Sequence, residues 1–430
     1  MSDTPLRIGI AGLGTVGAAT LGYLIDQNAR IAARAGRALR VEAIVARDRA
    51  KDRGVDTSGL RWFDDPVAMA SDDGIDVYVE LIGGADGVAK ASVEAALAAG
   101  KPVITANKAL LAHHGAALAD LAEKTPGASL HYEAAVAGGI PAVKALREGM
   151  AGNGITRVSG ILNGTCNYIL TEMEATGAAF ADVLAEAQRL GYAETDPTAD
   201  VGGFDAAHKL AIMAAIAFGR RIAFDEVQIE GIENVSAEDI EAARDMGYVI
   251  RLLGMAERTE DGVSQRMRPC LTPIDSPLGK ITGVTNAVMM EGDAIGATIL
   301  TGPGAGGGPT ASAVLADVVD VARGNTPPTF GIAASAMTAT NAVDTSDQGA
   351  FYLRVTLQDQ PGTLAEVATA LGQADVSIHR MRQHDHAGDA APITIVTHRC
   401  TLAAIEAAKQ RIAALSVCTA PPVSMRIVES

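Results

Sequence analysis

A chain of 430 residues with 48% hydrophobic content is long enough for two to four domains and several cores. Its formal net charge of -16 argues against a nucleic-acid surface and against adhesion to anionic membranes. The longest apolar run, around Leu210–Phe218, is far short of the ~20 residues of a membrane span. Met1–Arg7 lacks a signal-peptide pattern. Cys166, Cys270, Cys400 and Cys418 form no CxxC pair, so a reduced cytoplasm is the expected compartment.

In chain order, Leu6–Ala11 reads as a strand, followed by a glycine turn and a helix over Val16–Asp26. Further strands are expected at Val41–Ala46, Ile75–Ile82 and Pro102–Ala106, with alanine-rich helical stretches such as Ala89–Ala99 between them. That alternation predicts a Rossmann-type, doubly wound parallel sheet. After Pro141 the pattern changes: a strand at Ile155–Leu162, helices at Asn167–Thr176 and Ala181–Leu190, an acidic loop, and a long apolar helix at Asp205–Phe218. Thr301–Thr310 (TGPGAGGGPT) is a glycine-rich loop leading into a helix at Ala311–Arg323. Residues 324–349, rich in Pro, Thr, Ala and Ser, read as a linker. Strands at Phe351–Leu357, Val376–Met381 and Ile393–Thr397, with helices at Thr363–Gln373 and Leu402–Leu415, predict a small, separable βαββαβ unit over 350–430. The whole is an α/β chain. Residues 1–134 with about 305–323 form the dinucleotide-binding part, and 135–304 form a central α+β domain.

The turn Gly12-Leu13-Gly14-Thr15-Val16-Gly17 stands between strand and helix, the context a dinucleotide-binding fingerprint requires. Gly12 permits the tight turn, Gly14 admits a pyrophosphate, and Gly17 lets the helix pack on the strand. Thr15 and Val16 then open a helix whose N-terminus favours the phosphate charge. At the end of the second strand, Val45-Ala46-Arg47-Asp48 lacks the acid expected for a ribose diol. Arg47, with Arg49 or Lys51, suits a 2′-phosphate and is equally readable as a solvated loop charge. NADP(H) is therefore favoured, and NAD(H) stays open.

Lys108, in TANKALLA, follows the fourth strand at the edge where open α/β sheets bind ligands. Asp205 and Lys209, spaced i,i+4, share one face of a helix that is otherwise apolar all round, so both should point into a cavity. Lys209 is a candidate proton donor to a carbonyl under reduction, and Asp205 would position it or the substrate. Glu194, Asp196 and Asp200 crowd GYAETDPTAD and suit a substrate ammonium group, helix capping or a divalent cation. Cys166, in NGTCNY, is a rival nucleophile without a nearby partner histidine. His208 is expected to be structural.

IAGLGTVG, VELIGG, ITANKALLA, YEAAVAGGIP, ILNGTCNYIL, GYAETDPTADVGGFDAAHKLAI and GPGAGGGPTASAV together resemble the homoserine dehydrogenase family over essentially the whole chain. The resemblance implies reduction of L-aspartate 4-semialdehyde to L-homoserine within threonine, methionine and isoleucine biosynthesis. It implies Lys209 as proton donor and acceptor, Lys108 in contact with cofactor and substrate, and Glu194 and Asp205 holding homoserine. Gly191 and the Gly304–Gly306 loop would touch the cofactor, and the central domain would bind substrate and dimerise. Glu133, Val136, Gly138 and Ile140 would form a sodium site built largely from backbone carbonyls. Cys166 departs from the family's more usual threonine. The tail, through Asp359-Gln360-Pro361-Gly362-Thr363-Leu364, is similar to ACT regulatory domains, which implies threonine as effector and a homodimer or homotetramer. The rival readings are a cysteine-dependent aldehyde dehydrogenase and a non-catalytic amino-acid sensor.

Overall fold

The computed structural model describes residues 4–259, 262–339, 348–383 and 390–428. Strands β1 (Leu6–Ala11), β2 (Leu39–Val45), β3 (Arg61–Phe63), β4 (Val77–Glu80), β5 (Pro102–Thr105) and β6 (Ser129–His131) form one sheet in the order β3-β2-β1-β4-β5-β6. Every pairing in it is parallel. Alternate strand residues go to opposite faces, as the twofold period of a strand dictates. Ile8, Ile10, Val77 and Val79 pack with Leu21, Leu24, Val314 and Val318, whereas Tyr78 and Val103 pack with Met69, Val93 and Leu111. Helices cover both sides, which is why most positions of the central strands β1, β4 and β5 are apolar. One covering helix, Gly307–Arg323, returns from far down the chain to lie beside the helix Thr15–Asp26. Strand order reverses between β1 and β4, and the glycine turn after β1 lies at that switch point. β3 and β6 were not expected; three residues each are too few to carry a periodic signal.

A second sheet joins β7 (Ile155–Ile161), β8 (Gln228–Ile229), β9 (Tyr248–Arg258), β10 (Val263–Pro273), β11 (Thr285–Gly292) and β12 (Gly296–Pro303). The tail contributes β14 (Phe351–Gln358), β15 (Ile378–Gln383), β16 (Ala390–Thr397) and β18 (Cys418–Ile427), while β13 (Gln348–Gly349) and β17 (Cys400–Thr401) pair separately. Helices Thr363–Gln373 and Leu402–Ala413 complete the expected βαββαβ order. The tail also joins the central sheet. β18 runs parallel to β10, with Cys270 opposite Arg426 and Leu271 opposite Ile427, so both modules share one continuous ladder. Hydrophobic alternation reports which face of a strand is buried and says nothing of its edges, so this junction was not readable.

A buried carboxylate locks the junction. Asp239 lies at the third position of the helix Ala237–Asp245, in a reciprocal cap with Ser236. Its Oδ1 accepts Tyr352 Oη at 2.8 Å and Arg354 Nε at 2.7 Å, both from β14.

The expected linker also differs. Thr329 and Phe330 are buried, Thr329 O accepts from Tyr132 Oη, and Arg221 N donates to Thr338 O at 2.9 Å. Two apolar anchors, Phe330 and Met337, are enough to hold this Pro- and Thr-rich stretch on the core. The rest of it, residues 340–347, lies outside the described residues. Among the described residues, no helix is long and apolar enough to cross a membrane.

Candidate active site

The glycine turn has the geometry its sequence predicts. Gly12 has φ +94°, and a Cβ there would lie 2.4 Å from Leu81 O. A Cβ on Gly17 would lie 1.9 Å from Gly12 O, whereas one on Gly14 would meet nothing within 4 Å. Two glycines therefore close the backbone on itself, and the middle one faces open space for a ligand. Gly14 starts the helix Thr15–Asp26 without a side-chain cap, which leaves the first amides of Thr15, Val16 and Gly17 free for an anion.

A second uncapped helix start lies alongside. Gly306 (φ +113°) begins Gly307–Arg323, and a Cβ on Gly307 would be 3.2 Å from Thr15 Cγ2. Gly304 is wedged against Asn286, whose Nδ2 would be 2.0 Å from a Cβ there. The loop before this helix is shorter than expected, since Thr301–Pro303 ends β12 and the helix starts at Gly307. Gly12→Ala is expected to weaken dinucleotide binding by about 5- to 150-fold, from ~1–3 kcal/mol of backbone strain. A fluorescence titration giving unchanged affinity would contradict this use of the turn.

Ala46 is half-buried at the end of β2, and the exposed Arg47 makes no hydrogen bond or ion pair among the described residues. Arg49 is engaged elsewhere, 2.7 Å from Asp64 and over the Trp62 ring. Arg53, which the sequence reading passed over, donates from Nε to Leu13 O at 3.2 Å inside the turn. The alternating bases Arg47, Arg49, Lys51 and Arg53 were a visible signal. The fold-back that brings the last of them to the turn was not.

At the carboxyl ends of β4 and β5, Glu80 ties two loops together. It accepts the amides of Ile82 and Gly83 at 2.7 and 3.0 Å and the Thr105 hydroxyl. Asn107 caps the helix Lys108–Lys124 and donates to Gly84 O at 2.7 Å. Lys108 is thereby fixed as the first residue of its helix, and its Nζ lies 2.9 Å from Asp205 Oδ1. From the other side, Lys209 Nζ donates to Asp205 Oδ2 at 2.7 Å and to Leu162 O at 2.8 Å. Asn163, which caps the helix Gly164–Thr176, bridges Asp200 Oδ1 (2.8 Å) and Asp205 Oδ2 (3.1 Å). Sequence reasoning missed Glu80 and Asn163, though both stand in motifs it had singled out.

The electrostatics follow from this geometry. Burial opposes ionisation of Asp205, but the Lys209 and Lys108 ammonium groups hold its carboxyl well below the usual carboxylate range. In return Asp205 raises the Lys108 ammonium, with smaller contributions from Asp200 and Glu194. Burial, reinforced by Asp205, pushes the Asp200 carboxyl up. Glu194 is exposed on the rim, with its carbonyl accepting Gln188 Nε2 at 3.0 Å, and Gly191 (φ +78°) ends the preceding helix nearby. Lys108, Asp200, Asp205 and Lys209 thus converge, and Glu194 acts on them only through its charge.

The rival nucleophile is poorly placed. Cys166 is fully buried, its Sγ donates to Asp200 O at 3.1 Å, and burial pushes the thiol well up. His208 packs on Phe224 and His113, with ring centroids 4.4 and 5.4 Å away, and burial lowers it to about 4.

The segment Glu133–Ile140 is buried except at Gly139. Both Glu133 carboxylate oxygens accept backbone amides, from Val143 (3.0 Å) and Lys144 (2.8 Å). Burial, followed by Asp317, pushes Glu133 up to about 7. Ala137 and Gly138 both have φ +55°, and Ile140 O accepts from Ala142 N at 2.7 Å. The buried carbonyls of Val136 and Gly138 receive no hydrogen bond among the described residues. That set suits a hard monovalent cation bound by carbonyl oxygen. No group of three or more His, Cys, Asp or Glu fit for a metal occurs among the described residues.

An anion-ready turn at a sheet switch point, with two ammonium groups gathered on one carboxylate across the cleft, defines a dinucleotide-dependent dehydrogenase. Family models described as "Homoserine dehydrogenase, NAD binding domain", "Homoserine dehydrogenase" and "ACT domain" match residues 12–133, 141–319 and 351–417. The chain is 42% identical over 434 residues to homoserine dehydrogenase of Neisseria gonorrhoeae, covering 99% of each. It superposes on a homoserine dehydrogenase structure from Thiobacillus denitrificans with TM-score 0.92, 41% identity and 99% of each chain covered. A hyperthermophilic archaeal homoserine dehydrogenase, solved in complex with NADPH, matches 76% of this chain and all of its own (100%), with TM-score 0.65 and 27% identity. The chain belongs to the homoserine dehydrogenase family.

Proposed function

We propose that this chain is a cytoplasmic enzyme that interconverts L-aspartate 4-semialdehyde and L-homoserine, with NADP(H) favoured over NAD(H). The observation that carries the reading is the convergence of Lys108 and Lys209 on Asp205. The nicotinamide cofactor supplies the hydride when bound. Lys209 Nζ, held by Leu162 O and Asp205, protonates the developing alkoxide and takes the hydroxyl proton in the reverse direction. Lys108 adds a second fixed cation beside that oxygen, where preorganised charge stabilises a transition state most. Glu194 and Asp205 orient the amino acid through its ammonium group.

Gly12, Gly14, Thr15, Val16 and Gly17, with Gly304 and Gly306, hold the pyrophosphate; Ala46 and Arg47 meet the adenosine end, and Lys108 and Gly191 the nicotinamide end. The unpaired Arg47, the missing acid beside it and the NADPH complex of the archaeal relative all support NADP(H). Glu133, Val136, Gly138 and Ile140 bind Na+ through carbonyl oxygens. Threonine is the effector at Asp359–Leu364, and the assembly is a homodimer or homotetramer. The dinucleotide-binding part comprises 1–134 with about 305–323, the substrate and dimerisation part 135–304, and the regulatory part 350–430.

The test is homoserine-dependent reduction of NADP and of NAD by the pure full-length chain, with and without threonine. NADP should give the higher kcat/KM, and Cys166→Ser should retain turnover within about twofold. Abolished activity in Cys166→Ser would favour a thiol mechanism. No turnover at all would favour an amino-acid sensor.

A further inference from the structure

Leu162 and Asn163 turn the corner between β7 and the helix Gly164–Thr176, and both reach the active site. Leu162 O accepts Lys209 Nζ at 2.8 Å. Asn163, only 5% exposed, is engaged at both ends of its amide. Its Oδ1 caps the helix by accepting the Cys166 amide at 2.8 Å. Turning the amide over would set Nδ2 against that N–H, donor against donor, so the cap fixes where the two amide hydrogens point. They point at Asp200 Oδ1, 2.8 Å from Nδ2, and at Asp205 Oδ2, 3.1 Å from it.

The two carboxylates repel each other. Burial and the Asp205 charge raise the Asp200 carboxyl, and the hydrogen bond from Asn163 pulls it back down. An amide shared between two carboxylates holds them side by side through charge-assisted bonds and adds no positive charge. A cation in its place would cancel the negative charge that a substrate ammonium needs. The same amide sets the plane of the Asp205 carboxylate. With Oδ2 held by Asn163 and Lys209, Oδ1 is left to face Lys108 at 2.9 Å.

We propose, on the reading of this cleft as the homoserine site, that Asn163 is a positioning residue for the reaction. Its amide aligns the Asp200 and Asp205 carboxylates as a pair for the substrate ammonium. It also turns Asp205 so that Lys108 and Lys209 both stand at the reacting oxygen. The helix cap is the device that aims the amide, so capping and positioning are two tasks of one side chain.

Asn163→Ser and Asn163→Ala separate those tasks. Serine caps a helix about as well as asparagine, but its side chain stops one bond short of the amide nitrogen; alanine neither caps nor donates. The measurements are steady-state kinetics with homoserine and NADP, an NADPH titration and thermal melting of the full chain. In both variants kcat/KM for homoserine should fall at least about tenfold, as expected for lost hydrogen bonds to charged groups. Both kcat and KM should contribute, and NADPH affinity should stay within about twofold of wild type. Only the alanine variant should melt early. Asn163→Thr, a second hydroxyl cap, should repeat the serine result. Serine or threonine variants with kcat/KM within about twofold of wild type would overturn the proposal and leave Asn163 as a cap. An equal loss of NADPH affinity would overturn it too, by showing that the whole cleft had shifted. A wild type without homoserine turnover is a different failure, which removes the homoserine reading and the proposal with it.

Discussion

Lys209→Ala is expected to lower kcat by about 100- to 10,000-fold while dinucleotide affinity stays within about twofold of wild type, the range typical for removing a positioned general acid. Lys209 is 8% exposed, and its ammonium is fixed by two acceptors at 2.7 and 2.8 Å, so no water or neighbour can assume its place without rearrangement. Alanine also leaves Asp205 with a single cationic partner, Lys108. The phosphate turn is built from other elements, so cofactor binding should not follow the loss. Single-turnover kinetics together with a cofactor titration separate the two quantities. Turnover near wild type would end the proton-transfer role, and an equal loss of cofactor affinity would mean that the residue supports the cleft as a whole.

Asp239→Ala should cost about 3–5 kcal/mol, the typical penalty for removing one member of a buried ion pair. The Asp239 side chain is inaccessible and accepts from Tyr352, Arg354 and Ser236, which joins the cap of a catalytic-module helix to the first long strand of the regulatory module. Its removal strands the largely buried Arg354 guanidinium. In the double variant Asp239→Leu, Arg354→Met, part of the loss should return, because the unpaired charge is gone as well. Urea unfolding of the wild type and the two variants measures this. A single-variant loss below about 1 kcal/mol would reduce the cluster to an ordinary surface pair.

Much of the dinucleotide-binding half was legible because strand, turn and helix follow one another within a few residues, and each leaves its own periodic mark. The second half was not. β10 reads VSQRMRPCLTP, and Ser264, Gln265, Arg266 and Arg268 are all buried within it, so its polar letters suggest exposure where the sheet provides none. Within the site, Asp205 and Lys209 were found because i,i+4 spacing is a local property, and Lys108 because it follows β5; the ion pair that joins Lys108 to Asp205 was not readable. Asn163, Glu80 and Arg53 act through contacts 42, 25 and 40 residues away in sequence, distances at which no pattern in the letters survives. Glu194 was singled out from the acidic crowding of GYAETDPTAD, and it stands at the rim without touching the pair.

The pairing of β10 with β18 has a consequence for biogenesis. β18 is made long after β10, so during synthesis Cys270 and Leu271 wait without the strand that pairs with them. An exposed strand edge invites pairing with other chains. A nascent chain ending before Cys418 would carry the dinucleotide half, Lys108 and Lys209, yet leave Cys270 and Leu271 of β10 without their partner strand. The ten-residue strand β18 thus closes a stretch of β10 that the elements made before it leave open.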